Sequence, residues 1–322
     1  MTRIGIVGYG NVGKACEKLA LNDENCEIIG IFTRRNPKQV RSLGSKVYSA
    51  TDLPSFKGKI DVLILCVGSA FDLTDTALTL AKDFNTVDSF DTHSKMPLYA
   101  EKLQSVAEKN DRLCYFGIGW DPGLFSLCRA LFSSVLPDCD VQTFWGKGVS
   151  QGHSEAIKRL DGVKFAKQYT IPKPEALKKA REGGGAPLSN REKHLRECFV
   201  VAQDGADKAR IEAQIKSIPD YFAEYDTIVH FIDETTYINE HSGFPHGGVV
   251  TAFGKADEWD CNMEFSLKLE NNPFFTAAIM LAYAKANAKS YLKGARGAKS
   301  VIDIPVSLLA DGEWIDKIKR FI

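Results

Sequence analysis

Ile4-Gly5-Ile6-Val7-Gly8-Tyr9-Gly10-Asn11-Val12-Gly13-Lys14-Ala15-Cys16 is the stretch whose reading decides the fold. Four residues of strand character, Ile4–Val7, run directly into a G-x-G-x-x-G pattern, and Val12, Ala15, Cys16 and Leu19 then recur at helical spacing. The glycine pattern alone is a weak signal. Between a strand and a helix it reads as the turn of a dinucleotide-binding β-α-β unit. There Gly8 permits the tight turn, Gly10 lets the backbone approach a pyrophosphate, and Gly13 lets helix and strand pack closely. The helix N-terminus offers free N–H groups and its positive dipole to the phosphates.

The second strand, Ile28–Phe32, selects the dinucleotide. It ends in Thr33-Arg34-Arg35-Asn36, without the acid that normally holds a ribose 2′-hydroxyl. A hydroxyl and two guanidinium groups suit a 2′-phosphate, which a carboxylate would repel, so the expected cofactor is NADP(H). Solvation of one arginine, with only the other on phosphate, is the plainer alternative. Further along, Cys66-Val67-Gly68-Ser69-Ala70 closes a strand that starts near Ile60. The small residues Cys66, Gly68, Ser69 and Ala70 are expected to line the same crevice.

Working outward, Val62–Val67, Thr86–Asp88 and Leu113–Ile118 read as further strands. They alternate with helical patterns over Lys14–Leu21, Leu73–Phe84 and Leu98–Lys109. Such alternation implies a parallel sheet covered on both faces. After residue 120 the style changes. A helix over Leu124–Leu136 precedes the strand-like runs Val141–Trp145, Lys164–Thr170, Cys198–Ala202, Thr227–Ile232, Gly248–Phe253 and Cys261–Leu269. These predict one open, antiparallel or mixed sheet. Gly183-Gly184-Gly185-Ala186-Pro187 reads as a flexible loop, because no strand feeds it. Asn272-Pro273 starts an Ala-rich helix running to about Tyr291, expected to return to the nucleotide domain. The fold class is therefore α/β. A Rossmann-like domain (1–120 with about 273–322) is expected beside an α+β substrate-binding and dimerisation domain (121–272) with a mixed sheet.

Composition narrows the class. Forty-one basic residues balance forty-one acidic ones, so nucleic acid is not an expected partner. The chain enters a strand-like run at Ile4, and no apolar stretch reaches the roughly 20 residues of a membrane span, so neither secretion nor membrane insertion is expected. The eight cysteines include no CxxC pair, and several lie in strand-like runs. They read as reduced core residues of a cytoplasmic protein, and zinc is not expected.

Beyond the cofactor loop, Asp91 and His93 follow one strand end, and Gly119-Trp120-Asp121-Pro122-Gly123 follows another. Ligands of open α/β sheets bind at such carboxyl ends, so Asp91, Trp120, Asp121, Pro122 and Gly123 are expected beside the cofactor. Two acids at neighbouring strand ends would suit a cationic group such as an ammonium. The plainer readings are a helix cap before Met96-Pro97 for Asp91 and an Asx turn for Asp121. In the second domain, Gly148-Val149-Ser150-Gln151-Gly152-His153-Ser154 links a strand to a helix that Ser154 could cap, and His246-Gly247-Gly248 opens a strand. Arg196 could clamp a carboxylate or simply be solvated. His153, His241 and His246 lack the spacing of a metal site.

Taken together, Gly8-Tyr9-Gly10-Asn11, Phe32-Thr33-Arg34-Arg35, Gly119-Trp120-Asp121-Pro122-Gly123, Phe144-Trp145-Gly146, Ser150-Gln151-Gly152-His153-Ser154 and Pro245-His246-Gly247-Gly248 closely resemble the meso-diaminopimelate dehydrogenases. The likeness runs through nearly the whole chain, in order. It implies NADP⁺-dependent oxidative deamination of meso-2,6-diaminopimelate at its D-configured carbon, giving L-2-amino-6-oxopimelate, ammonia and NADPH. The reverse amination would serve bacterial lysine and cell-wall precursor synthesis, in a cytoplasmic homodimer. The resemblance also implies that Asp91, Trp120 and Asp121 surround the reacting D-centre, with Asp91 and Asp121 as the catalytic acids. It implies that Gln151 and Gly152 lie along the substrate with Trp145 stacked nearby, and that Thr170, Arg196, His246 and Asn272 hold the distal L-amino-acid end. Two other classes stay open at this point. A reductase of the dihydrodipicolinate-reductase or homoserine-dehydrogenase type would want a lysine or another acid at the hydride site. A non-catalytic NADP(H) sensor would leave the polar loops of the second domain without a purpose.

Overall fold

The computed structural model describes residues 1–68, 72–136, 138–183, 188–219 and 221–322. The chain divides into two units, Met1–Leu127 with Pro273–Ile322, and Cys128–Asn272. The division falls within the helix Leu124–Val135, a few residues beyond the change of style at residue 120.

In the first unit, Val62-Leu63-Ile64-Leu65 is wholly buried, as an unbroken apolar run must be when both faces of its sheet are covered. Strands β1 (Thr2–Val7), β2 (Cys26–Thr33), β3 (Val47–Ser49), β4 (Val62–Leu65), β5 (Thr86–Asp88) and β6 (Leu113–Tyr115) form one sheet with the strand Gly297–Lys299. From edge to edge the order is Gly297–Lys299, β6, β5, β4, β1, β2, β3. Every neighbouring pair is parallel. The chain winds outward to β3 on one side and to β6 on the other, so the topology switches between β1 and β4, where an open α/β sheet forms its ligand crevice. Side chains from both directions share one core, including Phe32, Leu63, Leu65, Leu73, Tyr99 and Leu103.

Both edge strands escape sequence reading for the same reason. Val47-Tyr48-Ser49 is only half-buried, and Gly297-Ala298-Lys299 is built of poor strand formers. Pairing to a neighbour, not local propensity, makes them strands. The helix Asn272–Leu292 packs through Ala277, Met280, Tyr283, Ala284 and Asn287. The buried Asn287 amide donates to the carbonyl of Leu113 at 3.1 Å, and Lys285 pairs with Asp23 at 2.8 Å.

The second unit holds two sheets where the sequence suggests one. Strands β7 (Asp140–Trp145), β8 (Gly148–Val149), β9 (Val163–Pro172), β10 (His194–Ala202), β11 (Asp226–Phe231), β12 (His246–Ala256) and β13 (Trp259–Leu269) divide between them. One sheet has the order β11-β10-β9-β8 and the other β13-β12-β7. The first is mixed, since β10 runs parallel to β11 and antiparallel to β9; the second is antiparallel. The sheets are stitched where Val149 N donates to the carbonyl of Pro245 at 2.8 Å, while Gly146 N, donating to the carbonyl of Gly247 at 2.8 Å, extends the β7–β12 ladder. Helices Gln151–Lys158 and Lys208–Ser217 supply Ile157, Ile211 and Ile215 to a core with Val163, Ala166, Cys198 and Val200.

Candidate functional site

At the switch point of the first unit lies a crevice of about 590 Å³. Gly8, Tyr9 and Gly10 line it from the turn after β1, Thr33, Arg34 and Arg35 from the end of β2, and Cys66, Val67 and Gly68 from the end of β4. Gly8 sits at φ +90°, in the left-handed region, and a side chain there would collide with the Cys66 carbonyl at 2.7 Å. A methyl group on Gly13 would overlap the Gly8 carbonyl, so the turn and the helix Asn11–Ala20 can approach each other only over a glycine. Asn11, Val12 and Gly13 open that helix and do not line the crevice wall. Its N-cap, Gly10, makes no side-chain capping bond, and nothing stands within 4 Å of where its Cβ would be. Ser69 and Ala70 lie outside the described residues.

The two arginines are held differently. Arg35 donates to the Tyr9 carbonyl at 2.7 Å, while Arg34 forms a two-pronged pair with Asp72 at 2.6 and 3.1 Å. Arg34 in turn holds the Asp72 carboxyl below its ordinary range. No acid occupies the end of β2, whose last residues Phe32 and Thr33 are buried. These residues fit an NADP molecule: open backbone N–H groups for the pyrophosphate, and guanidinium groups with a hydroxyl where a 2′-phosphate would sit. Sequence reading misses the support beneath this loop. Glu17, fully buried, accepts hydrogen bonds from the Tyr9 hydroxyl and from the amides of Leu43 and Ser45. Burial alone would raise its carboxyl, but these donors outweigh burial and hold it low.

The loops after β5 and β6 carry the expected acids. Asp91 is exposed, and Lys95, at the N-cap position of the helix Met96–Lys109, makes no side-chain capping bond. Trp120 is 8% exposed and packs edge-on against Phe125, at 5.2 Å between ring centres. Asp121 and Pro122 form a turn closed by a Trp120–Gly123 bridge. None of Asp91, Trp120, Asp121, Pro122 or Gly123 lines the 590 Å³ crevice itself; they stand at the same carboxyl end of the sheet. A residue without a sequence signal joins the two loops. The Asp88 carboxylate, fully buried, accepts from Phe90 N at 2.9 Å, Gly117 N at 3.3 Å and the Tyr99 hydroxyl at 2.5 Å.

In the second unit, strand register assembles a row of polar groups. Arg196 faces Thr170 on β9 and Thr227 on β11, and Thr170 faces Gly148 on β8. Strand β10 starts at His194, earlier than the apolar pattern suggests, so Arg196 lies inside the strand and is 5% exposed; it is not solvated. It donates to the Thr170 hydroxyl, and its guanidinium lies 3.9 Å from the centre of the Tyr225 ring. Among the described residues no carboxylate pairs with it, and its Nε has no hydrogen-bond partner. A buried cation in this state needs an anion, and burial pulls its pKa down accordingly.

Two imidazoles share the cationic field, and sequence reading gives neither a role. Burial, and then the charge of Arg196, pushes His153 and His194 each down to about 3. His194 accepts from Trp145 N at 2.9 Å and stacks on the Trp145 ring. His153 contacts the Ser150 hydroxyl at 2.5 Å, and its Nε2 has no partner among the described residues. The helix here begins at Gln151, not after Ser154, so Gln151 and Gly152 form its exposed first turn. Ser154 therefore does not cap it; its hydroxyl donates to the Ser150 carbonyl and accepts from Gln168 N, tying helix to strand. His246 opens β12, and Asn272 N donates to the Phe244 carbonyl at 2.9 Å, which brings Asn272 beside the loop that leads to His246.

Comparison with known proteins follows this division. Residues 119–271 match the model of the diaminopimelic acid dehydrogenase C-terminal domain. The meso-diaminopimelate D-dehydrogenase of Ureibacillus thermosphaericus is 51% identical over 96% of this chain and 95% of its own. The structure of C. glutamicum diaminopimelate dehydrogenase in complex with diaminopimelate superposes with a TM-score of 0.94 at 39% identity, over 100% of this chain and 99% of that one. An engineered D-amino acid dehydrogenase bound to NADP⁺ superposes with a TM-score of 0.90 at 38% identity, over the same shares of the two chains.

Proposed function

We infer what each unit does from one premise: this chain belongs to the meso-diaminopimelate D-dehydrogenase family. It is an NADP-dependent oxidoreductase that deaminates meso-2,6-diaminopimelate reversibly at its D-centre, giving L-2-amino-6-oxopimelate, ammonia and NADPH. When bound, NADP⁺ supplies the hydride acceptor. The residues of the chain must then orient the reacting carbon and favour the iminium that develops on the substrate.

We assign that work to the loops after β5 and β6. Asp91 and Asp121 have the charge to hold the amino group and stabilise the iminium, with Trp120 fixing the substrate beside them. One of these acids, or a water they hold, takes the proton as general base. The Gly8–Gly13 turn, Arg34, Arg35 and Thr33 hold the cofactor. The second unit serves as the substrate-binding and dimerisation domain. There Arg196 and Thr170 take the distal carboxylate, His246 and Asn272 the rest of that L-centre, and Gln151, Gly152 and Trp145 the chain between. The observation that supports this assignment most is the buried Arg196 guanidinium, which lacks a carboxylate among the described residues. The fit to a carboxylate is chemical: a planar fork of donors in a low-dielectric wall. We further propose a cytoplasmic homodimer serving lysine biosynthesis; no described helix is long and apolar enough to cross a membrane.

Mixing the purified protein with NADP⁺ and meso-diaminopimelate at alkaline pH, and following absorbance of reduced nicotinamide, tests the reading. Signal is expected with the meso isomer, a much weaker one with DD, which lacks the L-centre that the second unit holds, and none with LL, which lacks the D-centre. Turnover of other substrates but not of meso-diaminopimelate would overturn it.

A further inference from the structure

Asp88 ends β5 with its side chain fully buried and, among the described residues, with no cation paired to it. Such a carboxylate is costly to retain unless its oxygens are satisfied by fixed donors. Here they are. Oδ1 accepts from Phe90 N, one residue before Asp91, and from Gly117 N, three residues before Trp120. Oδ2 accepts from the Tyr99 hydroxyl on the helix Met96–Lys109. The Asp88 main-chain carbonyl adds a bond from Ile118 N at 2.8 Å. A single residue thus spans the loop that carries Asp91 and the loop that carries Trp120 and Asp121. Around it, Phe90 packs on Tyr99 at 4.7 Å and Tyr99 on Phe116 at 6.1 Å, so the aromatic rings exclude water from the bridge.

We propose that Asp88 is a positioning residue for the deamination, acting through the spacing it imposes between Asp91 and the Trp120–Asp121 turn. The proposal rests on the assignment of those residues to the reacting centre. Asp88 itself touches no reacting atom. Its oxygens matter as acceptors more than as charge. A carbonyl oxygen at Oδ1 would still take both amides, and a donor at Oδ2 would still meet the Tyr99 hydroxyl, which can turn to accept. Asparagine supplies that pair of atoms in the same shape, whereas alanine leaves two buried amides and one buried hydroxyl without partners.

Steady-state kinetics with meso-diaminopimelate, together with NADP⁺ titration, tests this. For Asp88→Ala the expected result is a fall in kcat of about 10- to 100-fold with the NADP⁺ dissociation constant within about twofold of the parent, since a displacement of a fraction of an ångström has effects of that size. Asp88→Asn is expected to restore most of the lost kcat. If Asp88→Ala fails to fold, Asp88→Glu carries the same test, because the added methylene displaces the acceptors while keeping the carboxylate. An unchanged kcat in Asp88→Ala or Asp88→Glu, or an Asp88→Asn as impaired as Asp88→Ala, would overturn the proposal. Asp91→Ala and Asp121→Ala are run beside them. Full turnover in both would instead overturn the site assignment on which the proposal stands.

Discussion

The two units bury ionisable groups of opposite sign and treat them in opposite ways. In the first unit the buried groups are acids, Glu17 and Asp88, and the fold's own amides and hydroxyls satisfy both. In the second unit they are bases: Arg196, His194, His241 and Lys167. Among the described residues Lys167 donates to the Gly243 carbonyl at 3.0 Å and lies 4.4 Å over the Phe244 ring, and Arg196, His153 and His194 each leave a ring or guanidinium nitrogen unpaired. Buried polar groups that find partners inside the fold are structural; those left short of acceptors point to a ligand that brings them. We read the contrast as marking where each unit would meet its anion. The first offers a phosphate backbone N–H groups and surface guanidiniums, whereas the second offers a carboxylate a buried cation.

The sharpest way to break that contrast is Arg196→Met. Losing a charge-assisted, two-pronged contact is expected to raise KM for meso-diaminopimelate by about 100- to 1000-fold, while kcat with a D-amino acid lacking the distal carboxylate changes little. The free protein should melt no lower than the parent, because an unpaired buried charge has been replaced by an apolar chain. Abolished turnover on every D-amino acid, with diaminopimelate affinity intact, would show the residue to be misassigned. In the first unit, replacing Arg34 and Arg35 together by Ala is expected to weaken NADP⁺ binding about 100-fold and leave NAD⁺ binding nearly unchanged. Equal losses for both dinucleotides would mean that the arginines do not read the 2′-phosphate. Gly13→Ala forces a methyl group onto the Gly8 carbonyl, and a loss of NADP⁺ affinity of about tenfold is expected from that overpacking, with meso-diaminopimelate KM at saturating cofactor unchanged.

The last effect is in pH dependence, and its sign differs between the units. His153 and His194, folded, bind a proton only near pH 3, whereas unfolded imidazoles do so near 6.5. On acidification from 6.5 the unfolded chain takes up protons first, so the second unit loses stability. Asp88 is raised by burial to about 6 from 3.8, so below pH 6 the folded chain binds its proton first and that contribution to stability grows as pH falls. Hydrogen exchange between pH 6.5 and 5 should show protection falling in β9 and β10, by up to about tenfold per pH unit for each imidazole, and rising in β5 and β6. Changes of the same sign in both units would remove the contrast.

How far the sequence reveals each unit follows from the same difference. The cofactor crevice is legible because its parts are local: strand, glycine turn, helix and the end of β2 lie within the first 35 residues. Thr33, Arg34, Arg35, Cys66 and Gly68 all line the crevice. Asp88 and Glu17 are not legible, because their partners stand far along the chain; Gly117 is 29 residues from Asp88. Arg196 is ambiguous for a related reason. His194-Leu195-Arg196-Glu197 lacks strand character, and only pairing with β9 and β11 turns it into a buried strand whose third residue points at Thr170 and Tyr225. The row of polar groups across β9, β10 and β11 is a product of register, and a resemblance to known sequences can point to it where periodicity does not.

The claim that the buried guanidinium of the second unit awaits the substrate's carboxylate can be observed at the atom concerned. Selectively labelled arginine Nε–H resonances, with the Arg196 signal identified by its loss in Arg196→Lys, are recorded as meso-diaminopimelate is added to the NADP⁺ complex. The Arg196 Nε–H is expected to shift downfield and become protected from exchange with water as the substrate saturates. A resonance that stays in place and exchanges equally fast at saturating substrate would contradict the claim.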